Sequence, residues 1–138
     1  MADLELVRRL SGADRGLAVV AVARLDGSVH ASVVNAGVFD GPNGPEVAFV
    51  ARGAARKLDH IRHRGQATVV FRSGWEWVAV EGPARIVGRD DADLAALLRA
   101  VFSAAGGTHD DWDTFDRVMA EERRVAVLVA PQRITSNG

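Results

Sequence analysis

The chain of 138 residues contains no cysteine, only four prolines and almost no net charge, which is -1 at pH 7. The absence of cysteine excludes disulfides, thiolate nucleophiles, iron–sulfur clusters and cysteine-based zinc sites. Long hydrophobic runs are also missing, because the longest one, Leu17–Ala23, falls far short of the ~20 residues that cross a bilayer. We therefore expect a protein that does not interact with membranes.

Recognisable catalytic and metal-binding patterns are scarce as well. The chain has no Gly-x-Ser-x-Gly elbow and no serine in a triad-like context, so no catalytic side chain is assigned. His60 and His63 could share a helix face, but no third ligand lies at a suitable spacing, and no metal site is expected. The first residues lack the basic and apolar regions of a secretory signal, which predicts a cytoplasmic protein.

Composition favours a single folded domain over residues 1–138. Hydrophobic residues make up 48% of the chain and charged residues 25%, as in ordinary globular proteins. A chain of this length can bury roughly two-thirds of its unfolded surface in one core.

Hydrophobic periodicity predicts a mainly β fold. We expect an N-terminal helix over residues 3–11, then two strands joined by a hairpin at Asp26-Gly27. Further strands are expected at 46–51, 66–72, 75–87 and 125–130, helices at 90–105 and 110–122, and a short tail after residue 130. Six strands joined mostly by hairpins indicate an antiparallel barrel or sandwich with peripheral helices.

The fifth predicted strand carries two tryptophans. Trp75 and Trp77 are two residues apart, so they are expected to lie on one face of the strand. Such a pair packs in a core or an interface, or flanks a flat ligand. Pro83 is expected to mark a bulge or the edge of pairing, since proline cannot donate to a β-ladder.

The most distinctive stretch is a basic segment between the third and fourth strands, residues 52–64. One acid, Asp59, faces five cations there: Arg52, Arg56, Lys57, Arg62 and Arg64. A strand, a glycine turn at Gly53 and a helix start form a geometry that favours an anion such as phosphate. A solvent-exposed cationic helix explains the same pattern. Nucleic acid is not expected, because the segment has no aromatic residue on which a base could stack.

Several stretches together resemble the split β-barrel flavin and deazaflavin oxidoreductases, the pyridoxamine 5'-phosphate oxidase-like superfamily, and its branch that uses the deazaflavin coenzyme F420. These stretches follow the family's order and span nearly the whole chain. They are residues 24–34 (RLDGSVHASVV), 55–61 (ARKLDHI), 74–82 (GWEWVAVEG), 109–119 (HDDWDTFDRVM) and 123–129 (RRVAVLV).

The resemblance implies a six-stranded antiparallel split β-barrel that works as a homodimer, with a cofactor site at the interface and a small-molecule substrate. The implied cofactor is coenzyme F420, with FMN as the alternative. Lys57 is the implied phosphate ligand, with Arg56 beside it, while Arg52 and Arg56 would suit the coenzyme's anionic tail. The residues implied around the ring are Ala51, Ser32, Val34, Thr68 and, from the partner subunit, Trp77.

The implied activity is hydride transfer between the deazaflavin and a small organic substrate. Such chemistry needs the protein to orient cofactor and substrate, and it requires no nucleophilic side chain. Two alternatives remain open: an FMN-dependent oxidoreductase of the same fold, and a protein that binds a flavin-like cofactor without turnover.

Overall fold

The computed structural model describes residues 2–138. In this part of the chain there are four helices and seven strands. The helices are α1 (Leu4–Ala13), α2 (Arg56–Arg64), α3 (Leu94–Ala104) and α4 (Trp112–Glu121). The strands are β1 (Leu17–Ala23), β2 (Val29–Gly41), β3 (Gly44–Ala51), β4 (Gln66–Ser73), β5 (Glu76–Val87), β6 (Val125–Val129) and β7 (Arg133–Ser136).

Six of the strands form a closed antiparallel barrel. Around it the order is β4-β1-β2-β3-β6-β5, and pairing between β5 and β4 closes the ring. The predicted six-stranded antiparallel barrel with peripheral helices is therefore confirmed. The barrel closes because β5 changes partner along its length: its pairing with β4 ends at Pro83, and its pairing with β6 begins at Ala84. The expected role of Pro83 as the edge of pairing is also confirmed.

The seventh strand corrects the expected tail after residue 130. β7 pairs antiparallel with β5, from Val78–Ser136 to Glu81–Arg133. Its four residues alternate in exposure, but Ile134 is its only large apolar side chain. A strand this short and polar carries almost no periodic signal, which explains why the sequence did not reveal it.

The barrel interior forms the main core, and one helix closes each end. Leu6, Val7 and Leu10 of α1 are buried in this core, and so are Leu58 and Ile61 of α2. Ion pairs tie α1 to the end of β2 (Arg8–Asp40) and the start of β5 (Arg9–Glu76). α2 lies at the opposite end, where the Arg64 guanidinium donates to the backbone oxygen of Arg24, just after β1.

A second, smaller core lies outside the barrel, where α3 and α4 cover β3 and β6. Ala48, Ala126 and Leu128 point outward from these strands and contact Leu98 and Phe115 of the helices. β2 also runs under α3. Gly37 of β2 has no room for a side chain, since a Cβ there would collide with the Ala104 carbonyl. This close approach fixes the end of α3 against the sheet.

Two expectations for local structure are wrong. The acids of residues 90–93 do not lie in the first turn of a helix, because α3 begins only at Leu94; Asp91 instead accepts a hydrogen bond from the Asp93 amide at 2.8 Å and forms a turn. Trp75 and Trp77 do not share a strand face. Trp75 precedes β5 and its side chain is 94% exposed, whereas Trp77 lies within the strand and is half-buried.

None of the helices within residues 2–138 is long and apolar enough to span a membrane.

Candidate functional site

The barrel is split beside the first half of β2. The β2–β3 ladder begins only at the pair Ala36–Phe49, so residues 29–35 of β2 pair with β1 alone. Leu58 and Ile61 of α2 pack into the interior from this end. The split therefore brings the basic segment next to the start of β2.

The N-terminus of α2 has no side-chain cap. Its N-cap residue is Ala55, which has no side-chain oxygen that could accept from the first helical amides. The first turn of a helix leaves backbone N–H groups without intrahelical partners, and these groups together with the helix dipole favour an anion. The local sequence thus forms a helix start that is open to an anionic ligand.

His30 is the central side chain of this region. It lies at the start of β2 with its ring perpendicular to that of His60 on α2, the ring centroids being 5.4 Å apart. Its Nδ1 atom is buried and makes no hydrogen bond within residues 2–138. Burial, followed by the positive charges of Arg24, His60, Lys57 and Arg56, lowers the pKa of His30, which favours the neutral ring.

Ser32 repeats this pattern one step further along the strand. It points to the same side of β2 as His30, because side chains two residues apart share a face. Its Oγ atom is also buried without a hydrogen-bond partner in the described chain. A buried polar atom without a partner costs about 1–3 kcal/mol, so two neighbouring ones indicate a site built for a polar ligand or water.

Lys57 and Arg56 supply the unpaired positive charge. Neither residue makes an ion pair or side-chain hydrogen bond within residues 2–138, and Lys57 is half-buried. Burial, with a smaller contribution from the charge of Arg124, lowers the pKa of Lys57. A bound anion would offset both effects, since an opposite charge favours the protonated amine.

Arg52 is placed differently from these two cations. Its guanidinium lies 3.5 Å from Glu122 Oε2, and the other carboxylate oxygen of Glu122 accepts from Arg124 at 3.0 Å. Glu122 therefore links Arg52 to Arg124 across the turn that follows β3.

The remaining sequence-predicted site residues divide between two sides of the sheet. Val34 and Ala51 are buried in the barrel interior. Thr68 lies on the outer face, because it pairs with Ala21 of β1 while its neighbour Val69 is buried inside. Trp77 points to the same outer face as Thr68, and its backbone amide donates to Asn137 Oδ1 at 3.0 Å. Within one protomer, Thr68 and Trp77 therefore do not lie beside Ser32.

The contact between His30 and His60 was not predicted from the sequence. The expected neighbour of His60 was His63 on the same helix, whereas the ring of His60 contacts His30 of another element. The signal that could have found His30 is the alternation of β2, since His30, Ser32 and Val34 all occupy inward positions. No group of three or more histidine or acidic side chains suited to a metal ion occurs in residues 2–138.

Comparisons with known proteins agree with this architecture. The family model for pyridoxamine 5'-phosphate oxidase matches residues 7–138. An F420 reductase superposes with a TM-score of 0.64 and 16% identity, covering 95% of this chain and 94% of the other. An FMN-binding, pyridoxamine 5'-phosphate oxidase-related protein of Nostoc punctiforme gives a TM-score of 0.65 at 13% identity, covering 96% of this chain and 79% of the other.

A haem storage protein of Vibrio cholerae has the same fold, with a TM-score of 0.62 and 13% identity over 98% of this chain and 94% of the other. At these identities, the structural similarities establish the fold alone. The match to the family model covers nearly the whole sequence, and on that basis the chain belongs to the pyridoxamine 5'-phosphate oxidase family.

Proposed function

We propose that the protein is an oxidoreductase that uses the deazaflavin coenzyme F420 and acts on a small organic substrate. One observation carries the proposal. At the split of the barrel, the cations Lys57 and Arg56, which are unpaired within residues 2–138, lie with two buried polar atoms that have no partner in the same residues, His30 Nδ1 and Ser32 Oγ. This set of donors fits a phosphate group, which accepts several hydrogen bonds and carries negative charge.

In this proposal Lys57 binds the phosphate as a charged donor, and Arg56 supplies the planar guanidinium that suits phosphate oxygens. The open start of α2 adds backbone N–H groups. Protonation of His30 would give it a second N–H donor, and Ser32 would donate through its hydroxyl. Arg52, which is already shared with Glu122, is the weaker candidate for contacts with the coenzyme's anionic tail.

When bound, the cofactor supplies the hydride chemistry. The residues of the chain bind and orient the reactants and keep water out, so no nucleophilic side chain is needed. Val34 and Ala51 contribute apolar walls near the split.

A homodimer is part of the proposal. Thr68 and Trp77 lie on an outer face of the barrel that no element within residues 2–138 covers, and this face carries exposed valines such as Val19 and Val33. A second copy packed on this face would bury the valines and bring Thr68 and Trp77 to the interface. In that arrangement Trp77 can serve the site of the partner subunit, although it lies far from Ser32 within one protomer.

Lys57→Ala tests the phosphate site directly. The substitution should weaken binding of the deazaflavin by about 1.5–3 kcal/mol, the contribution of a charge-assisted hydrogen bond. Calorimetric titration of the purified protein measures the change. Arg117→Ala is the matched control, since Arg117 is an exposed cation on α4 whose only ion pair in the described part of the chain is with Glu121 of the same helix. Unchanged affinity in Lys57→Ala would place the phosphate elsewhere.

Cofactor choice needs a separate experiment, because FMN also carries a phosphate. Parallel titrations of the apo-protein with FMN and with the deazaflavin should give the tighter binding for the deazaflavin. Tight FMN binding with no affinity for the deazaflavin would make the FMN-dependent oxidoreductase the better assignment.

A cofactor-binding protein without turnover is the second candidate. It is favoured by the fact that neighbours of the same fold include haem storage and haem-binding proteins. Oxidation of the reduced deazaflavin in the presence of a broad panel of organic acceptors would support the enzyme. Tight binding with no oxidation by any acceptor would support the carrier.

A further inference from the structure

A cavity lies outside the barrel, and His30, Ser32 and Lys57 are not among the residues that line it. It has a volume of about 660 Å³ and lies between the turn that follows β3, the helices α3 and α4, and the start of β6. A volume of this size is typical of sites for small organic molecules. The cavity therefore requires an explanation independent of the proposed phosphate site.

The inner part of the cavity is apolar. Leu94 and Leu98 of α3 line it on one side, Met119 of α4 lies on another, and Val125 is contributed by β6. Leu98 is almost fully buried, and the other three are half-buried. Because all four side chains are apolar, this surface suits an apolar body rather than a polar one. The flexible side chain of Met119 can adapt to the shape of that body.

The entrance of the cavity is cationic. Four arginines line it, but Arg62 is paired with Asp59 and Arg124 with Glu122. The other two, Arg89 and Arg123, make no ion pair or side-chain hydrogen bond within residues 2–138.

Two acids also line the cavity. The Asp116 carboxylate accepts two hydrogen bonds from the guanidinium of Arg99, one of them at 2.9 Å, so it is already neutralised. Asp90 is exposed and unpaired in the described chain. Against this single free acid stand the two free arginines, which leaves the entrance net positive.

Arg123 occupies a position where glycine is usually preferred. It follows Glu122, the C-cap of α4, and has a positive φ of 53°. The next amide, that of Arg124, donates back to the Met119 carbonyl at 2.9 Å. A helix that ends in this way normally has glycine at this position, because a Cβ is strained there. The positive charge of the side chain interacts favourably with the helix C-terminus, which offsets part of this strain. The guanidinium nevertheless has no partner within residues 2–138.

The turn that follows β3 forms the opposite wall and packs tightly against Arg123. A Cβ on Gly53 would lie only 2.5 Å from the Arg123 carbonyl oxygen. Two of the turns that bound the cavity are thus in close contact at Arg123.

From these features we propose that the cavity binds an amphipathic anion, a small molecule with an apolar body and a single carboxylate or phosphate head. The body packs on Leu94, Leu98, Met119 and Val125, while Arg89 and Arg123 contact the head. Guanidinium groups suit both carboxylate and phosphate, because their planar N–H donors match two oxygens at once. The site is distinct from the proposed phosphate site, since the side chains of His30, Ser32, Arg56 and Lys57 do not line it. The two sites are neighbours, because Arg124 lines the cavity and its charge also acts on Lys57.

Octanoate is a suitable probe for the full-length protein. We expect saturable binding by calorimetry, with the largest amide shift changes in NMR spectra at Gly53, Leu98 and Val125. Octan-1-ol and octylammonium should bind at least about tenfold more weakly, because they lack the negative head. Octyl phosphate is the second anion, and its affinity relative to octanoate identifies the preferred head group.

Equal binding of octan-1-ol would overturn the proposal, because it would mean that apolar contact alone accounts for the affinity. Shift changes centred on Val19 and Val33 would also overturn it, since they would place the probe on the uncovered barrel face. No saturable binding of either anion would show that the cavity is not a site for this class of molecule.

The variants Arg123→Gly and Arg89→Gln test the entrance. Each should weaken octanoate binding by about tenfold, the loss expected for one charge-assisted contact. Arg123→Gly also removes the backbone strain, so a raised midpoint of thermal unfolding should accompany the weaker binding and exclude misfolding as its cause. Arg117→Gln is the matched control, as Arg117 lies on α4, the helix that precedes Arg123, and does not line the cavity. Unchanged octanoate affinity in both entrance variants would contradict the proposal.

Lys57→Ala separates this site from the proposed cofactor site. Octanoate affinity should be the same in Lys57→Ala and in the wild type. A parallel loss of octanoate and deazaflavin binding in this variant would show that the cavity is part of one continuous cofactor site, and the independent site would then be rejected.

Discussion

The outer surface of the barrel has two faces that differ in how they are covered. On one face, Ala48 and Leu128 point outward from β3 and β6 and are buried beneath α3 and α4. On the other face, Val33 of β2, Val19 of β1 and Val70 of β4 form a row across neighbouring strands. No element within residues 2–138 covers this row, and Val33 is 66% exposed.

The two faces have similar chemistry, but only one of them is covered within residues 2–138. An antiparallel sheet with one solvated face normally alternates apolar and polar residues. β1 does not follow this rule, because its outward residues Leu17, Val19 and Ala21 are as apolar as its inward ones. Exposed apolar rows of this kind mark an interaction surface. We therefore expect a second copy of the chain to cover this face, as α3 and α4 cover the other.

The largest expected effect concerns the covered face. Leu128→Ala should lower the free energy of unfolding by about 3 kcal/mol, because it removes a fully buried side chain and leaves a cavity beneath the helices. Urea unfolding at low protein concentration measures the change. Val33→Ala on the uncovered face is the matched variant and should cost less than about 1 kcal/mol in the protomer, since its side chain is mostly exposed. Similar losses in both variants would remove the distinction between the faces.

Placing a charge on the uncovered face tests the proposed dimer. Val33→Arg should raise the dimer dissociation constant by about thirtyfold, or about 2 kcal/mol, because a charge must then be desolvated at the interface. Sedimentation velocity over a range of concentrations detects the shift to monomer, and circular dichroism checks that the fold is retained. Val118→Arg is the control, since Val118 is an exposed valine on α4. If the wild type is monomeric throughout, the uncovered face does not mediate dimerisation.

The smallest expected effect concerns His30 at the start of β2, which lies on neither outer face. Burial lowers the pKa of His30 below that of the unfolded chain, so the folded protein binds fewer protons there. Stability is therefore unaffected by His30 above the unfolded pKa near 6.5, and falls as the pH drops from about 6.5 towards the folded pKa. Urea unfolding at about pH 7.5 and about pH 5.5 should show this loss in the wild type and a smaller loss in His30→Gln.

Adding inorganic phosphate to the same unfolding experiment provides a second test of His30. A bound anion favours the protonated ring, so phosphate should raise the pKa of His30 and reduce the loss of stability at the lower pH. Sulfate-free and phosphate-free buffers provide the reference condition. An identical pH dependence in His30→Gln and the wild type would mean that other groups are responsible.

The sequence predicted the barrel well because its strands are bounded by strong local signals. Asp26-Gly27 forms the expected hairpin, with Gly27 at a φ of 89°, and Pro83 ends the β4–β5 ladder. The basic segment likewise became a short helix after a glycine turn. These features depend on residues close together in the chain, and such signals can be read without knowing the tertiary structure.

The parts that could not be predicted depend on contacts between distant residues. β7 has little apolar character of its own, and it is ordered by pairing with β5 and by Asn137, whose side chain donates to the Trp75 carbonyl at 2.7 Å. The contact between His30 and His60 joins a strand to a helix 30 residues further along the chain. Residue spacing within one element gives no information on either contact.

Closure of the barrel has a consequence for the rate at which the protein folds. The β3–β6 ladder joins Val47 to Val129, so much of the chain must be ordered before the ring can close. Folds dominated by such distant pairings reach the native state in about milliseconds to seconds, far more slowly than helical bundles. During that time the valine-rich strands β1 and β2 have neither helix nor second copy beside them. Refolding yield should therefore fall as protein concentration rises, because aggregation competes with closure of the ring.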